Sequence, residues 1–150
     1  MKKRLLLIIV SIAAALTTSV AFADPPTLTA LNVRFHMPKC DDRDQDTITQ
    51  IWVDKGGIQY ADNSNVAPGQ QFKDPGDYGP FAIPIENAIT KDNYVGSVTH
   101  IHINPNGHDT WCTRIDMEAI FTDNSKINTS SGVVVKISES NKDAVFVNQP

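Results

Sequence analysis

Apolar and polar residues alternate with a period of two along most of this chain, the pattern of strands with one buried face. Thr29, Leu31, Val33, Phe35 and Met37 fall on one side of a first segment, with Asn32, Arg34 and His36 on the other, and Pro38 ends it. Thr49, Ile51 and Val53 alternate in a second segment, which puts Trp52 on its outward face; Gly56-Gly57 makes a turn, and Ile58 to Tyr60 a short return. Loop residues fill Asp62 to Gln71 and Lys73 to Asp77, and Phe81, Ile83 and Ile85 mark another strand. Glu86 to Asn93 reads as a short helical turn or an extended connection. Val98 to Ile103 and Thr113 to Phe121 are strands around an Asn104–Asp109 turn; Val133, Val135 and Ile137 make a late strand, and Ala144 to Val147 a last one.

No segment carries a sustained apolar stripe at helical spacing. Short strands separated by turn residues predict an all-β fold, an antiparallel β-sandwich of about eight strands. The alternation predicts a core of Phe35, Ile51, Phe81, Ile83, Ile101, Ile103, Ile115 and Met117.

The first residues depart from this pattern. Met1-Lys2-Lys3-Arg4 is a basic start, Leu5 onward is apolar to about Ala15, and Ala21-Phe22-Ala23 is a small-x-small site. These are the parts of a signal peptide over residues 1–23, with a single domain over 24–150. The apolar run is too short for a permanent membrane span, so the expectation is an exported protein without a transmembrane anchor, periplasmic or extracellular. Losing Lys2, Lys3 and Arg4 takes the formal charge from −4 to −7. An acidic chain is a poor match for phosphate backbones, so nucleic acid is not an expected partner. Cys40 and Cys112 are the two cysteines, and in an oxidising compartment they are expected to form a disulfide.

The order of several motifs resembles the PLAT/LH2 family, a C2-like β-sandwich. The matching pieces are Asp44-Gln45-Asp46-Thr47, Gly69-Gln70-Gln71-Phe72 with Phe81, Gly96-Ser97-Val98-Thr99-His100-Ile101-His102-Ile103, and Trp111, which opens the next strand. The resemblance spans about Leu28 to Thr122. It departs in the acidic segment, where the family's Gly-Thr-Asp run is Asp44-Gln45-Asp46, and has no counterpart after about Ile127. It implies a stand-alone, non-enzymatic binding module that recognises a lipid surface or a protein partner, with calcium at the loop end.

Asp41, Asp42, Asp44 and Asp46 crowd four carboxylates into six residues, which repel unless solvated or bridged by a cation. An EF-hand is excluded because its sixth position is Thr47 and its twelfth Val53. A C2-like calcium site would instead draw on several loops: Asp42, Asp44 and Asp46, Asp62 with Asn63, and Asn104, Asn106 and Asp109. A Cys40–Cys112 bond needs Cα atoms within about 7 Å and would therefore bring the two polar loops to one end of the sandwich. The alternative reading is a solvated acidic turn.

His100 and His102, two apart on one strand face, could join His108 around a transition metal; the alternation makes them solvent-facing instead. A small metal-dependent hydrolase using these three histidines and Asp109 is the enzymatic alternative, and a periplasmic inhibitor or structural protein acting through a sheet edge is a third. No serine-hydrolase elbow, phosphate loop or His-Glu-x-x-His motif occurs. Trp52, on the outward face, either seats a ligand or partner or packs beneath the C-terminal strands; Trp111 is expected to pack under the loops.

Overall fold

The computed structural model describes residues 23–40, 42–105 and 110–150. The expected signal segment through Phe22 thus lies outside the described residues, as do Asp41, Asn106, His108 and Asp109. Among the described residues nine strands form: β1 (Leu28–Met37), β2 (Ile48–Lys55), β3 (Ile58–Asn63), β4 (Gly76–Ala82), β5 (Val98–Asn104), β6 (Thr110–Phe121), β7 (Lys126–Ser130), β8 (Val135–Ser138) and β9 (Asp143–Val147). One helical turn, α1 (Lys91–Tyr94), lies before β5 and is capped by the Thr90 hydroxyl.

The strands build two antiparallel sheets packed as a sandwich. Sheet I has the order β4-β1-β6-β7, with β8 pairing the first residues of β6; sheet II has the order β3-β2-β5-β9. The inner faces supply the core: Leu31, Val33, Phe35, Ile115 and Met117 from sheet I against Ile51, Val53, Ile101 and Ile103 from sheet II, all buried. Trp111 is buried at the loop end, its ring 5.0 Å from that of Phe35 and 6.0 Å from that of Phe72. Of the eight core residues read from the alternation, seven are buried; Phe81 is half-buried because β4 is an edge strand, and its ring stacks on Phe72.

The differences from the sequence reading have local causes. Thr29 is exposed, its hydroxyl donating to the Ile120 carbonyl at 3.0 Å, and Leu28 takes the inward position. The β1–β6 register shifts between Leu28 and Ala30, and a bulge reverses the facing of every residue before it. The ninth strand is β7, where only Ile127 and Thr129 turn inward, too short an alternation to stand out. Val133 belongs to the connection ahead of β8 and is 67% exposed. The stretch read as a loop up to Asp77 already contains the start of β4, which pairs Met37 with Gly76. Gly79 is required there: its φ is +103°, and a Cβ would lie 2.6 Å from the Val33 carbonyl oxygen.

Candidate functional site

Three regions carry the polar chemistry. The first is the loop end, where the Cys40–Cys112 disulfide joins the segment after β1 to the start of β6 with Cα atoms 5.9 Å apart. The bond is compatible with an oxidising compartment. It brings the acidic segment beside the start of β6, as the cysteine positions predict. The acidic segment is more than a display of carboxylates, because Arg43 at its centre is wholly buried. The Arg43 guanidinium donates to the carbonyls of Thr47 at 2.7 Å, Val66 at 3.2 Å and Gln70, and to the Thr49 hydroxyl at 3.0 Å. Its carbon sits 4.6 Å from the centre of the Phe72 ring, and the Arg43 and Phe72 backbones exchange two hydrogen bonds. One cation thus ties the Asp42–Thr47 strap to the 64–72 loop.

The expected calcium ligands do not all meet here. The Asp42 carboxylate accepts the Asp74 N–H at 2.7 Å, and the Asp74 carboxylate accepts the Cys40 N–H, so both act as backbone ties. Asp44 and Asp46 are exposed and line a shallow hollow with Gln45 and Gln71. Asn104 pairs with Ile48 at the same end. Asp62 is elsewhere: it pairs with Trp52, four residues or about 13 Å further along β2, and accepts a hydrogen bond from Gln50. Among the described residues no group of three His, Cys, Asp or Glu side chains is placed to hold a metal ion. Asn106 and Asp109, the other two expected ligands, are outside the described residues.

The second region is the outer face of sheet I, which charged side chains cover. His36 bridges three strands: Nδ1 lies 2.5 Å from Asp77 on β4 and Nε2 lies 2.6 Å from Asp116 on β6. Sequence reading placed His36 at the surface and missed this bridge; the signal was the Arg114-x-Asp116-x-Glu118 alternation on the facing strand. Arg114 reaches Asp116 at 3.3 Å and Lys126 reaches Glu118 at 3.0 Å. A groove of about 510 Å³ runs beside them, but the carboxylates in its wall already hold these partners.

These contacts set an acid limit on stability. Burial raises the pKa of Asp116, but the neighbouring Ser130 hydroxyl, Arg114 and His36 outweigh it and hold the carboxyl below its ordinary value. The hydrogen bond from Lys126 outweighs burial at Glu118 and lowers it too, helped by the Lys126 charge and by Asn32. Groups with lowered folded pKa values stabilise the fold above the ordinary carboxylate range and lose that contribution as pH falls through the folded values. The unfolding free energy will therefore fall as pH drops below about 4. In Asp116→Asn this acid-side slope will be shallower in urea titrations at stepped pH; an unchanged slope would show that Asp116 takes no part.

The third region is the outer face of sheet II. Register places Asp62, Trp52, His100 and Val145 side by side across β3, β2, β5 and β9. The Trp52 ring stacks on the His100 imidazole, centroids 4.7 Å apart and planes 1° from parallel, and both are half-buried. His100 Nε2 also lies 3.4 Å from Asp54, while His102 in the next row pairs with Asp143 at 2.8 Å. The two histidines share a face as expected, but each has its own partner; His108 is outside the described residues. Trp52 is not covered by the C-terminal strands, because β9 adds in the plane of the sheet beside β5.

Comparison with protein-family models, curated proteins and solved structures finds no match for this chain.

Proposed function

We propose that the protein is an exported, non-enzymatic binding module, a stand-alone PLAT-like sandwich, that recognises a protein partner through the outer face of sheet II. The observation that carries this is the half-buried Trp52, stacked on His100 in the middle of a four-strand row. An aromatic side chain held rigid on a flat face loses little entropy on binding, and such residues dominate interface energetics. Asp54 and Asp62 flank it, and the His102–Asp143 pair lies further out on the same face. This charge disfavours an anionic lipid surface and suits a protein surface with basic residues. The first sheet offers no comparable aromatic: its outer face is tied up in ion pairs. Signal segment, disulfide and negative charge agree with a periplasmic or extracellular setting. The reading does not require calcium at the loop end.

The test compares proteins captured from envelope and culture-medium fractions by the immobilised chain and by Trp52→Ala. Loss of a buried aromatic anchor costs about 2 kcal/mol or more, so capture of the genuine partner should fall roughly thirtyfold. Arg34→Ser, on the opposite sheet, should retain it. Equal capture by wild type and Trp52→Ala would sink the proposal, and so would co-flotation with phosphatidylserine vesicles that Trp52→Ala abolishes.

A further inference from the structure

The free edge of sheet II is built for pairing. Among the described residues β9 pairs only with β5. The Ile103 N–H donates to Lys142 and the Asn148 N–H donates to Ser97, so the even-numbered residues face β5. In an antiparallel ladder the bonding direction alternates, which turns the N–H and C=O groups of Asp143, Val145 and Val147 outward. No backbone group among the described residues satisfies them. Val145 and Val147 are 59% and 46% exposed beside this edge.

The other edges are protected. Edge strands are normally blunted by lysine, proline, irregularity or cover. β3 is covered, since Asp62 N–H donates to the Pro84 carbonyl and Glu86 N–H to that of Tyr60. β4 contains Gly79-Pro80 and a register shift, and β7 and β8 carry Lys126 and Lys136. From Ala144 to Val147, β9 has no such device.

We infer that β9 pairs with β9 of a second copy of this chain, antiparallel about a two-fold axis at Val145, joining two four-stranded sheets into one of eight. The occupant follows from register. Centring on Val145 sets outward-bonding residues against each other, Asp143 opposite Val147 and Val145 opposite its own copy. On the inner side it sets Ala144 opposite Phe146, small against large. Moving the axis to Asp143 would oppose two carboxylates directly, which is destabilising. With the axis at Val145 the two Asp143 side chains are about 14 Å apart along the strands, beyond the Debye length of about 8 Å at physiological salt. The inference is independent of the proposed partner-binding face, although it would place two Trp52–His100 pairs on one continuous surface.

Sedimentation of the purified chain should show its mass doubling as concentration rises from micromolar to millimolar. Val145→Lys should stay monomeric with unchanged circular dichroism, because the side chain is exposed and its backbone N–H serves no bond within the fold. Val145→Cys tests register without relying on affinity: mild oxidation should give a covalent dimer on a non-reducing gel. Val147→Cys, which faces Asp143, should give several-fold less. A chain monomeric throughout, a Val145→Lys variant that still dimerises, or equal cross-linking at both positions would overturn the inference.

Discussion

Arg43→Met will lower the free energy of unfolding by about 3–5 kcal/mol, although methionine matches much of the volume and the site is closed to solvent. The guanidinium satisfies the carbonyls of Thr47 in the strap and of Val66 and Gln70 in the 64–72 loop, and the hydroxyl of Thr49 on β2. Methionine restores contact with Phe72 but removes the guanidinium's hydrogen bonds to those oxygens, and a buried acceptor that loses its donor costs about 1–3 kcal/mol before relaxation. Arg43→Lys should fall between the two, because an ammonium is a point charge and cannot span four acceptors in one plane. Urea denaturation of the three proteins measures this directly. A loss below about 1 kcal/mol in Arg43→Met would mean the acidic strap stands without its cation. Amide exchange should report where the loss falls: first in 42–47 and 64–72, with the β1–β6 ladder protected.

Replacing both cysteines, Cys40→Ser with Cys112→Ser, should cost a similar amount by a different route. The bridge closes a sequence separation of 72 residues. In the chain-entropy model such a loop contributes about 4 kcal/mol by restricting the unfolded chain. The Arg43 strap and the bridge hold the same end, so the triple variant should depart from additivity, unlike mutations at distant sites. If the serine variant unfolds at the wild-type urea midpoint, the unfolded-state account fails. Reducing agent should reproduce the serine result in wild type and change nothing in the double variant.

Strands that bury one side against the opposite sheet were legible because a half-buried strand must alternate. Leu31 to Met37, Ile51 with Val53, Ile101 with Ile103 and Ile115 to Phe121 are such cases. Thr29 was not, because a bulge leaves no mark on hydrophobic phase until the partner strand is known. The β7 strand escaped because two inward residues, one a threonine, do not make a pattern. Cys40 and Cys112 correctly tied the end of β1 to the start of β6, since a covalent bond has a fixed reach.

The candidate site was less legible. Counting carboxylates drew attention to Asp42, Asp44 and Asp46 and away from Arg43 between them, the residue that organises the loop. Polar residues in loops have no period from which burial can be read. Asp62 was grouped with the loop ligands because Asp62 to Gln71 reads as loop, but the extension of β3 to Asn63 places it beside Trp52 instead. Alternation gave the correct side for Trp52 and His100. Their stacking depends on which strands are neighbours, information that resides in pairing alone.

The placement of β1 bears on how the chain acquires its structure. β1 lies in the interior of sheet I, and Asn32 pairs with Glu118, while β5 is completed by β9 near the last residues. Neither sheet can close until most of the chain is present, so chain entropy must be lost before the pairings that compensate for it form. Such high contact order places folding in the millisecond-to-second range, on the order of a thousandfold slower than helical bundles. That delay leaves the pairing edges of β1 and β5 open while the chain is short, and any truncation before Asp143 leaves the edge of β5 bare.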